Sequence, residues 1–497
     1  MIFILFLLLS LVYIYLTWNF DYWTKRGVPS PKARVLLGDL PNGLLKTENV
    51  IYDIGKIYNN FKSKTPFVGM IQTRVPRLLI LEPEVIKDVL IRKFNCFRYA
   101  ELVEIVDTKL DPLFAKNPFL LMDEEWKEKR ADITPAFTSN RLKVLYPIIQ
   151  DLSAHMIKYI INESKKNEPL DSLEVAAKFT TDVVSNCIFG IDAESFTKEK
   201  PEIREMGKRI LEPNFSNVVK LFLAESFPFM RKLMRIQFMP NDVKDFFVNL
   251  MQQALKHREE KKICREDFLD HIIQLRNKKN ISELEMASHT MSFFSDGFET
   301  SSVAISHALY EIGNNTRVQD KLRDEINKNC NKSGLISYET LTELPYLDQV
   351  FHESLRLHPP AVMISKQCTE PTDLEFDGKR VTVEKGINVF IPILQVHCDS
   401  NYYFEPDKFY PERFDDGAIK DYLDRCVFMP FGAGPRICLG MRFALMQTKA
   451  AIAAIVQNFE ISVNKKTQNN PLVIDPVAFI NVKVGGLWLD FKSLKKE

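Results

Sequence analysis

The feature that most constrains this chain is a ten-residue loop near its carboxyl end, Phe431-Gly432-Ala433-Gly434-Pro435-Arg436-Ile437-Cys438-Leu439-Gly440, which runs into a helix-like stretch over Met441 to Val456. A cysteine placed where a glycine-rich loop enters a helix amino terminus sits in a field of amide groups and helix dipole that favours its thiolate. Such a thiolate suits a soft or redox-active metal. A lone cysteine is more often an inert buried thiol, but Phe, two Gly, Arg and Gly at these offsets make the pattern specific.

The remaining cysteines, at 96, 187, 264, 330, 368, 398 and 426, are dispersed and include no CxxC pair. That excludes a disulfide framework and a zinc ribbon, and fits a reducing compartment with mostly buried thiols. With 45% hydrophobic and 26% charged residues, the 497-residue chain is a folded globular protein. Sixty-six basic against 65 acidic residues leave a net charge of +1, so nothing global points to nucleic acid. Any electrostatic partner must use a local patch.

The amino terminus points to a membrane. Ile2 to Leu16 are uncharged, Thr17 to Phe20 extend the run, and the first charge is Asp21. At about 1.5 Å per residue this roughly spans a hydrocarbon core. Tyr13, Tyr15, Trp18, Tyr22 and Trp23 crowd its far end, where aromatic rings favour the interface, and Lys25, Arg26, Lys32 and Arg34 place the following chain on the cytoplasmic side. A cleaved secretory signal would need a basic leading region and a small-residue cleavage site, and neither is there. The sequence therefore predicts a transmembrane anchor over 1–20, a proline-containing linker over 21–40 stiffened by Gly27-Val28-Pro29-Ser30-Pro31, and one catalytic unit over 41–497.

Helical patterns dominate that unit. Short β-branched runs around Phe67 to Leu81 and Leu374 to Ile391, the second containing a hairpin signal at Asp377-Gly378, add small sheets. The predicted class is mainly α with small β-sheets. Phe215 to Met239 is apolar and aromatic yet interrupted by Lys220, Glu225, Pro228, Arg231, Lys232 and Arg235, too broken to span a bilayer. It either dips into one interface or forms a helix pair packed on the core.

The loop around Cys438 resembles the haem-binding signature of the cytochrome P450 family, Phe-x-x-Gly-x-Arg-x-Cys-x-Gly, every fixed position being matched by Phe431, Gly434, Arg436, Cys438 and Gly440. The resemblance implies the cytochrome P450 fold, with haem b (iron protoporphyrin IX) and Cys438 as the axial ligand of its iron. An anionic thiolate pushes electron density through iron and favours O–O cleavage. Other landmarks fall in the family's order. Glu353 and Arg356, three apart in a helical segment entered after Pro345 and stopped by Pro359-Pro360, resemble two members of the family's Glu-Arg-Arg cluster, with Arg413 the third. Trp126 and Arg130, four apart, resemble the pair that binds a haem propionate, and Arg436 is implied at the same carboxylates. Lys366 stands where the family commonly has arginine, keeping the charge without the bidentate fork.

The long helical stretch from about Glu283 to Ile312, opened by a capping box at Ser282-Glu283-Leu284-Glu285, contains Ser295-Asp296-Gly297-Phe298-Glu299-Thr300-Ser301. This resembles the family's oxygen-handling motif. By that resemblance Gly297 leaves room over the porphyrin, Thr300 hydrogen-bonds the oxygen substrate or its water, and Glu299 feeds protons. Asp296 departs from the small residue expected there; it either changes pocket polarity or faces away. Substrate-facing segments are placed by position alone at Val106 to Phe119, Asn214 to Phe222, Phe293 to Glu299, Ala361 to Ser365 and Pro476 to Ile480, largely apolar and suited to a small lipophilic substrate.

The implied reaction is RH + O2 + 2 e⁻ + 2 H⁺ → ROH + H2O. Electrons are expected from NADPH through the partner flavoprotein NADPH–haemoprotein reductase, with cytochrome b5 a further donor, at a basic surface of Lys127, Lys129, Arg130, Arg442 and Lys449 that is otherwise a solvated face. Gly297 to Ser302 and Leu357-His358-Pro359-Pro360 look like the insect microsomal detoxification-type branch. That implies an endoplasmic reticulum enzyme of xenobiotic or insecticide metabolism, against hydroxylation of endogenous arthropod hormones or lipids. An isomerase or peroxide-using enzyme of the same fold would have lost the acid–threonine pair that Glu299 and Thr300 retain. A non-catalytic haem-binding membrane protein is the remaining alternative.

Overall fold

The computed structural model describes residues 1–211, 215–227, 230, 236–415, 417–467 and 471–494. Helices dominate. Those used below are α1 (Ile2–Thr17), α2 (Asp123–Ile133), α3 (Ser139–Ser164), α4 (Ser172–Phe189), α5 (Glu202–Leu211), α6 (Asn241–Lys261), α7 (Glu283–Asn314), α8 (Pro345–Leu357) and α9 (Met441–Asn458). Several ends are legible chemically. At α7 the Ser282 hydroxyl accepts from the Glu285 amide while the Glu285 carboxylate accepts from the Ser282 amide. Pro345 opens α8, where its missing N–H costs nothing.

Three small sheets accompany the helices. Strands β1 (Phe67–Gln72), β2 (Val75–Ile80), β7 (Asn388–Ile391) and β4 (Ile364–Gln367) lie in the order β1-β2-β7-β4, antiparallel except for β2 against β7. Strands β5 (Thr372–Phe376) and β6 (Lys379–Val383) form the expected hairpin; Asp377 and Gly378 both take positive φ, 49° and 70°, as the tight turn demands. A third sheet joins β3 (Leu170–Asp171), β9 (Trp488–Ser493) and β8 (Phe459–Val463). Two of its strands do alternate apolar and polar residues, Phe459-Glu460-Ile461-Ser462-Val463 and Leu489-Asp490-Phe491-Lys492, although the expected small sheets did not include them.

The apolar side chains gather in three clusters. One joins α3, α4, the carboxyl half of α7, α8 and α9; a second lies under the four-stranded sheet; a third packs α4, α6 and the amino half of α7. Helix α7 thus runs through the centre, buried on most faces. A polar group on it must be bonded, paired or facing an opening.

No helix among the described residues is long and apolar enough to cross a membrane. Helix α1 has 16 residues, about 24 Å against about 30 Å of hydrocarbon, and Trp18 to Phe20 form turns instead of extending it. Trp23, expected at the interface, is buried in the protein: its ring covers Gly69 and its indole N–H donates to the Met70 carbonyl at 3.1 Å. The 21–40 stretch lies against β1, with the Gly69 amide donating to Pro29 and the Ile71 amide to the Asp39 carboxylate. Tyr15 stacks on Phe227 and lies under Arg74. Of the Phe215 to Met239 region, Phe215–Ser226 is helical, while Pro228, Arg231, Lys232 and Arg235 fall outside the described residues.

Candidate functional site

The loop before α9 is held by its backbone. The Cys438 amide donates to the Phe431 carbonyl at 2.9 Å, closing the loop on itself. Gly434 has φ +72°, and a Cβ there would lie 2.1 Å from the Leu90 carbonyl oxygen, so only glycine fits. Behind the loop, the Glu353 carboxylate accepts from Arg356 at 2.7 and 2.9 Å, from Arg413 Nε at 2.9 Å and from the Tyr410 amide at 2.9 Å. Arg356 also donates to the His397 carbonyl, and His397 Nε2 accepts the Met429 amide at 2.7 Å. The buried ion cluster is thereby wired to the residues that enter the loop. Accepting at Nε2 keeps His397 neutral, and burial pushes its pKa down to about 3.

Burial pushes the Cys438 thiol up to about 11, with the Asp296 charge adding to the rise and the Gly440 amide and Arg130 opposing it. The Gly440 amide at the helix entrance and Arg130 favour the thiolate against the cost of desolvation. A metal cation against the sulfur would supply the missing charge, since a coordinating thiol is deprotonated outright. Sulfur from one loop suits haem iron, and no other cluster of metal-binding side chains occurs among the described residues.

Three cations surround the loop. Arg130 Nη2 donates to the Ile437 carbonyl at 2.9 Å, and Arg436 Nη2 to the Leu121 carbonyl at 2.8 Å. The two guanidiniums lie 5.9 and 4.3 Å from the Trp126 ring centre. Lys366 is buried on β4. Burial first, and the Arg130 charge second, lower Arg436 to about 10; burial first, and Arg436 second, lower Lys366 to about 8. No salt bridge joins any of the three to a carboxylate among the described residues, and Arg436 Nε is buried without a partner. Cations drawn partly or wholly out of water with no salt-bridging carboxylate fit an anionic ligand. The two propionates of a haem whose iron meets Cys438 match that requirement, and Trp126, Arg130, Arg436 and Lys366 would hold them.

The opposite wall is α7. Thr300 Oγ1 donates to the Asp296 carbonyl at 2.8 Å, one turn back along the helix. Burial raises the Glu299 carboxyl, Arg204 opposes that rise, and Glu299 Oε2 is buried without a partner. No hydrogen bond joins Glu299 to Thr300 among the described residues. Asp296 does not face away: it is accessible, and its charge is felt at Cys438. Gly297 serves a different purpose from the one expected. The place of its missing Cβ lies 3.3 Å from Val184 of α4, so the glycine permits close helix packing instead of leaving room over the porphyrin.

Sequence reasoning missed Gln447. Its amide donates to the Gly297 carbonyl at 3.0 Å and to Ser301 Oγ at 2.8 Å, tying α9 to α7 beside the acid–threonine pair. No local signal marks it in the sequence, because its burial and its bonds to α7 arise only when α9 packs on that helix. Two further expectations are corrected. Phe294 and Phe298 are wholly buried among core aromatics, not turned to a substrate. The basic surface is largely dissolved by pairing: Lys129 meets Glu285 at 2.7 Å, Lys127 meets Glu124 at 2.6 Å, and buried Lys449 meets Asp348. Asn214 falls outside the described residues.

A family model described as Cytochrome P450 matches residues 42–488. This chain belongs to the cytochrome P450 family. Its relatives include "Probable cytochrome P450 28d1" of Drosophila melanogaster, 38% identical over 99% of this chain and 98% of that protein. "Probable cytochrome P450 28a5" of the same fly is 37% identical over 98% of each chain. "Cytochrome P450 6A1" of Musca domestica is 32% identical over 99% of this chain and 97% of the relative. These are insect cytochromes P450, and the chain is accordingly a cytochrome P450 monooxygenase, an oxidoreductase whose family implies a haem-thiolate centre.

Proposed function

We propose that this cytochrome P450 is a microsomal monooxygenase that places one oxygen atom of O2 into small lipophilic substrates, xenobiotics among them: RH + O2 + NADPH + H⁺ → ROH + H2O + NADP⁺. The observation that carries the reading is the convergence on one loop of Cys438, buried Lys366 and the half-buried Arg130 and Arg436, none of the three cations in a salt bridge among the described residues, facing the helix of Glu299 and Thr300. When bound, haem supplies the activation of O2.

The chain's own residues do the rest. Cys438 would ligate the haem iron and supply it with thiolate charge, while Arg130, Arg436, Lys366 and Trp126 would hold the haem carboxylates. The Thr300 hydroxyl, bonded to a neighbouring carbonyl at rest, rotates to hold a water at the reaction centre. Glu299, its carboxyl raised by burial, holds a proton closer to neutral pH than a free carboxylate would and passes it on through that water. The apolar segments around the site exclude bulk water.

The same proposal places residues 1–20 in the endoplasmic reticulum membrane with the catalytic unit on the cytosolic side. Its support is the uncharged helix α1, whose large apolar side chains are almost all exposed. NADPH–haemoprotein reductase supplies electrons, with cytochrome b5 as a further donor. Arg442, exposed and without an ion pair among the described residues, marks the approach on the Cys438 side.

The test is reconstitution of the full chain with reductase in lipid. The ferrous carbonyl complex should show the red-shifted thiolate-type spectrum, and products from a panel of lipophilic compounds should carry one atom from labelled O2. Cys438→Ser should abolish both. A Cys438→Ser protein that kept both would place the ligand elsewhere and refute the assignment. Removing residues 1–20 should make the protein salt-extractable; an unchanged integral behaviour would show that the membrane segment lies elsewhere.

A further inference from the structure

Asp296 has no function in the account above, yet it is the charged group that α7 turns toward the reaction centre. It lies one turn before Thr300, whose hydroxyl bonds its carbonyl. Its carboxylate is accessible, although α7 is otherwise largely buried along this stretch. Its charge is felt at Cys438, which fixes the side of the helix it occupies.

The hydrogen bonds it receives are from neutral groups. Ser295 Oγ donates at 3.1 Å. The buried Asn117 side chain also favours the ionised form; its Oδ1 accepts from the Phe119 amide at 2.8 Å, and its amide nitrogen is the group that can donate toward Asp296. No lysine, arginine or histidine pairs with Asp296 among the described residues, and no cation lowers its pKa; burial raises it to about 6, so at pH 7.4 the carboxylate is mostly ionised. The cations of the site, Arg130, Arg436 and Lys366, are gathered at the loop and β4. The site thus has separated charges: positive where propionates would lie, and negative on the substrate side. A carboxylate with neutral neighbours and no cation beside it gains most from a cation brought to it. Ser295 and Asn117 also fix its position, so a ligand pays little to order it.

We propose that Asp296 is a specificity-determining residue that selects, among lipophilic substrates, those carrying a positive charge, by pairing with the cation beside the reaction centre. The proposal rests on the monooxygenase reading above. It names a substrate class, lipophilic cations such as protonated or quaternary amines. Oxidation should then fall on carbon close to the bound nitrogen, because the pairing residue and Thr300 are a single helical turn apart.

The test uses the haem-loaded full chain and a matched pair of probes, 4-phenylbutyltrimethylammonium and its isostere with carbon in place of nitrogen. The quaternary nitrogen has no lone pair, so it cannot ligate iron. Dissociation constants are measured by equilibrium dialysis without NADPH, so the readout is binding and not turnover. Asp296→Asn should lower the ratio of cation affinity to isostere affinity by about tenfold or more, chiefly through weaker binding of the cation, and Asp296→Glu should restore part of it. Asp296→Ser serves the same comparison if the asparagine variant does not fold. An unchanged ratio in the neutral variant overturns the proposal. A red-shifted carbonyl spectrum in the same preparations keeps the monooxygenase reading standing in that event, whereas its absence from the unaltered protein refutes both.

Discussion

Replacing Gly434 by alanine offers a test of the ligand loop whose size follows from geometry. At φ +72° an alanine costs roughly 1–2 kcal/mol for the left-handed backbone alone. Its Cβ would also sit 2.1 Å from the Leu90 carbonyl oxygen and 3.0 Å from the carbonyl carbon, whereas an ordinary C···O approach is about 3.3 Å. About 1 Å of movement is therefore required between two backbones. Leu90 is itself buried, and the loop is tied at Cys438 and Phe431, so neither side yields freely. Overpacking of this kind adds roughly 1–3 kcal/mol, giving about 2–5 kcal/mol in all. Gly432→Ala isolates the backbone part: φ is +74°, but the nearest atom, Ile364 Cδ1, is 3.9 Å away. We expect urea midpoints to place Gly432→Ala near the 1–2 kcal/mol of the backbone cost, and Gly434→Ala well beyond it. Haem content and the red-shifted carbonyl spectrum should fall mainly in the second. Equal losses in the two variants would refute the steric argument, as would a Gly434→Ala protein with the spectrum and midpoint of the parent.

Glu353→Gln should destabilise the protein by roughly 3–5 kcal/mol and lower haem retention, because it leaves the buried Arg356 and Arg413 guanidiniums uncompensated; wild-type urea and haem-retention profiles would show the cluster to be dispensable. Thr300→Ala should keep NADPH consumption and the carbonyl spectrum while product per NADPH falls and hydrogen peroxide rises, whereas Glu299→Gln should slow oxygen consumption itself; unchanged coupling in Thr300→Ala would mean that another group positions the water. Glu311 hydrogen-bonds His358 at 2.7 Å and burial raises its carboxyl from 4.5 to about 7. The folded state thus favours the protonated acid, so this group's contribution is full below pH 4.5 and is lost as pH rises toward 7. Relative to the parent, Glu311→Gln should gain roughly 3 kcal/mol between pH 4 and pH 8, read from denaturant midpoints; a pH-independent difference would contradict the buried, proton-holding state.

Local chemistry was readable from the chain because it is written in neighbouring residues. Ser282 and Glu285 cap α7 through groups three positions apart, Asp377-Gly378 closes its hairpin through its own dihedrals, and the glycines around Cys438 announce a loop with unusual backbone angles. Family resemblance rests on the same short motifs, and the match over residues 42–488 agrees with it. What the sequence could not settle depends on groups far apart in the chain. Lys129 and Lys449 read as a basic surface until folding brought Glu285 and Asp348 against them, because an ion pair across 156 or 101 positions leaves no local trace. Gly297 looked like room for a ligand until α4 was seen to occupy the space. The direction in which Asp296 points was likewise open, since helical spacing relates residues on one helix and not to the neighbours that surround it. Periodicity and motif determine which element forms and which chemistry it carries; burial, counter-charge and the direction of a side chain are properties of the assembled interior, and only the tertiary structure decided them.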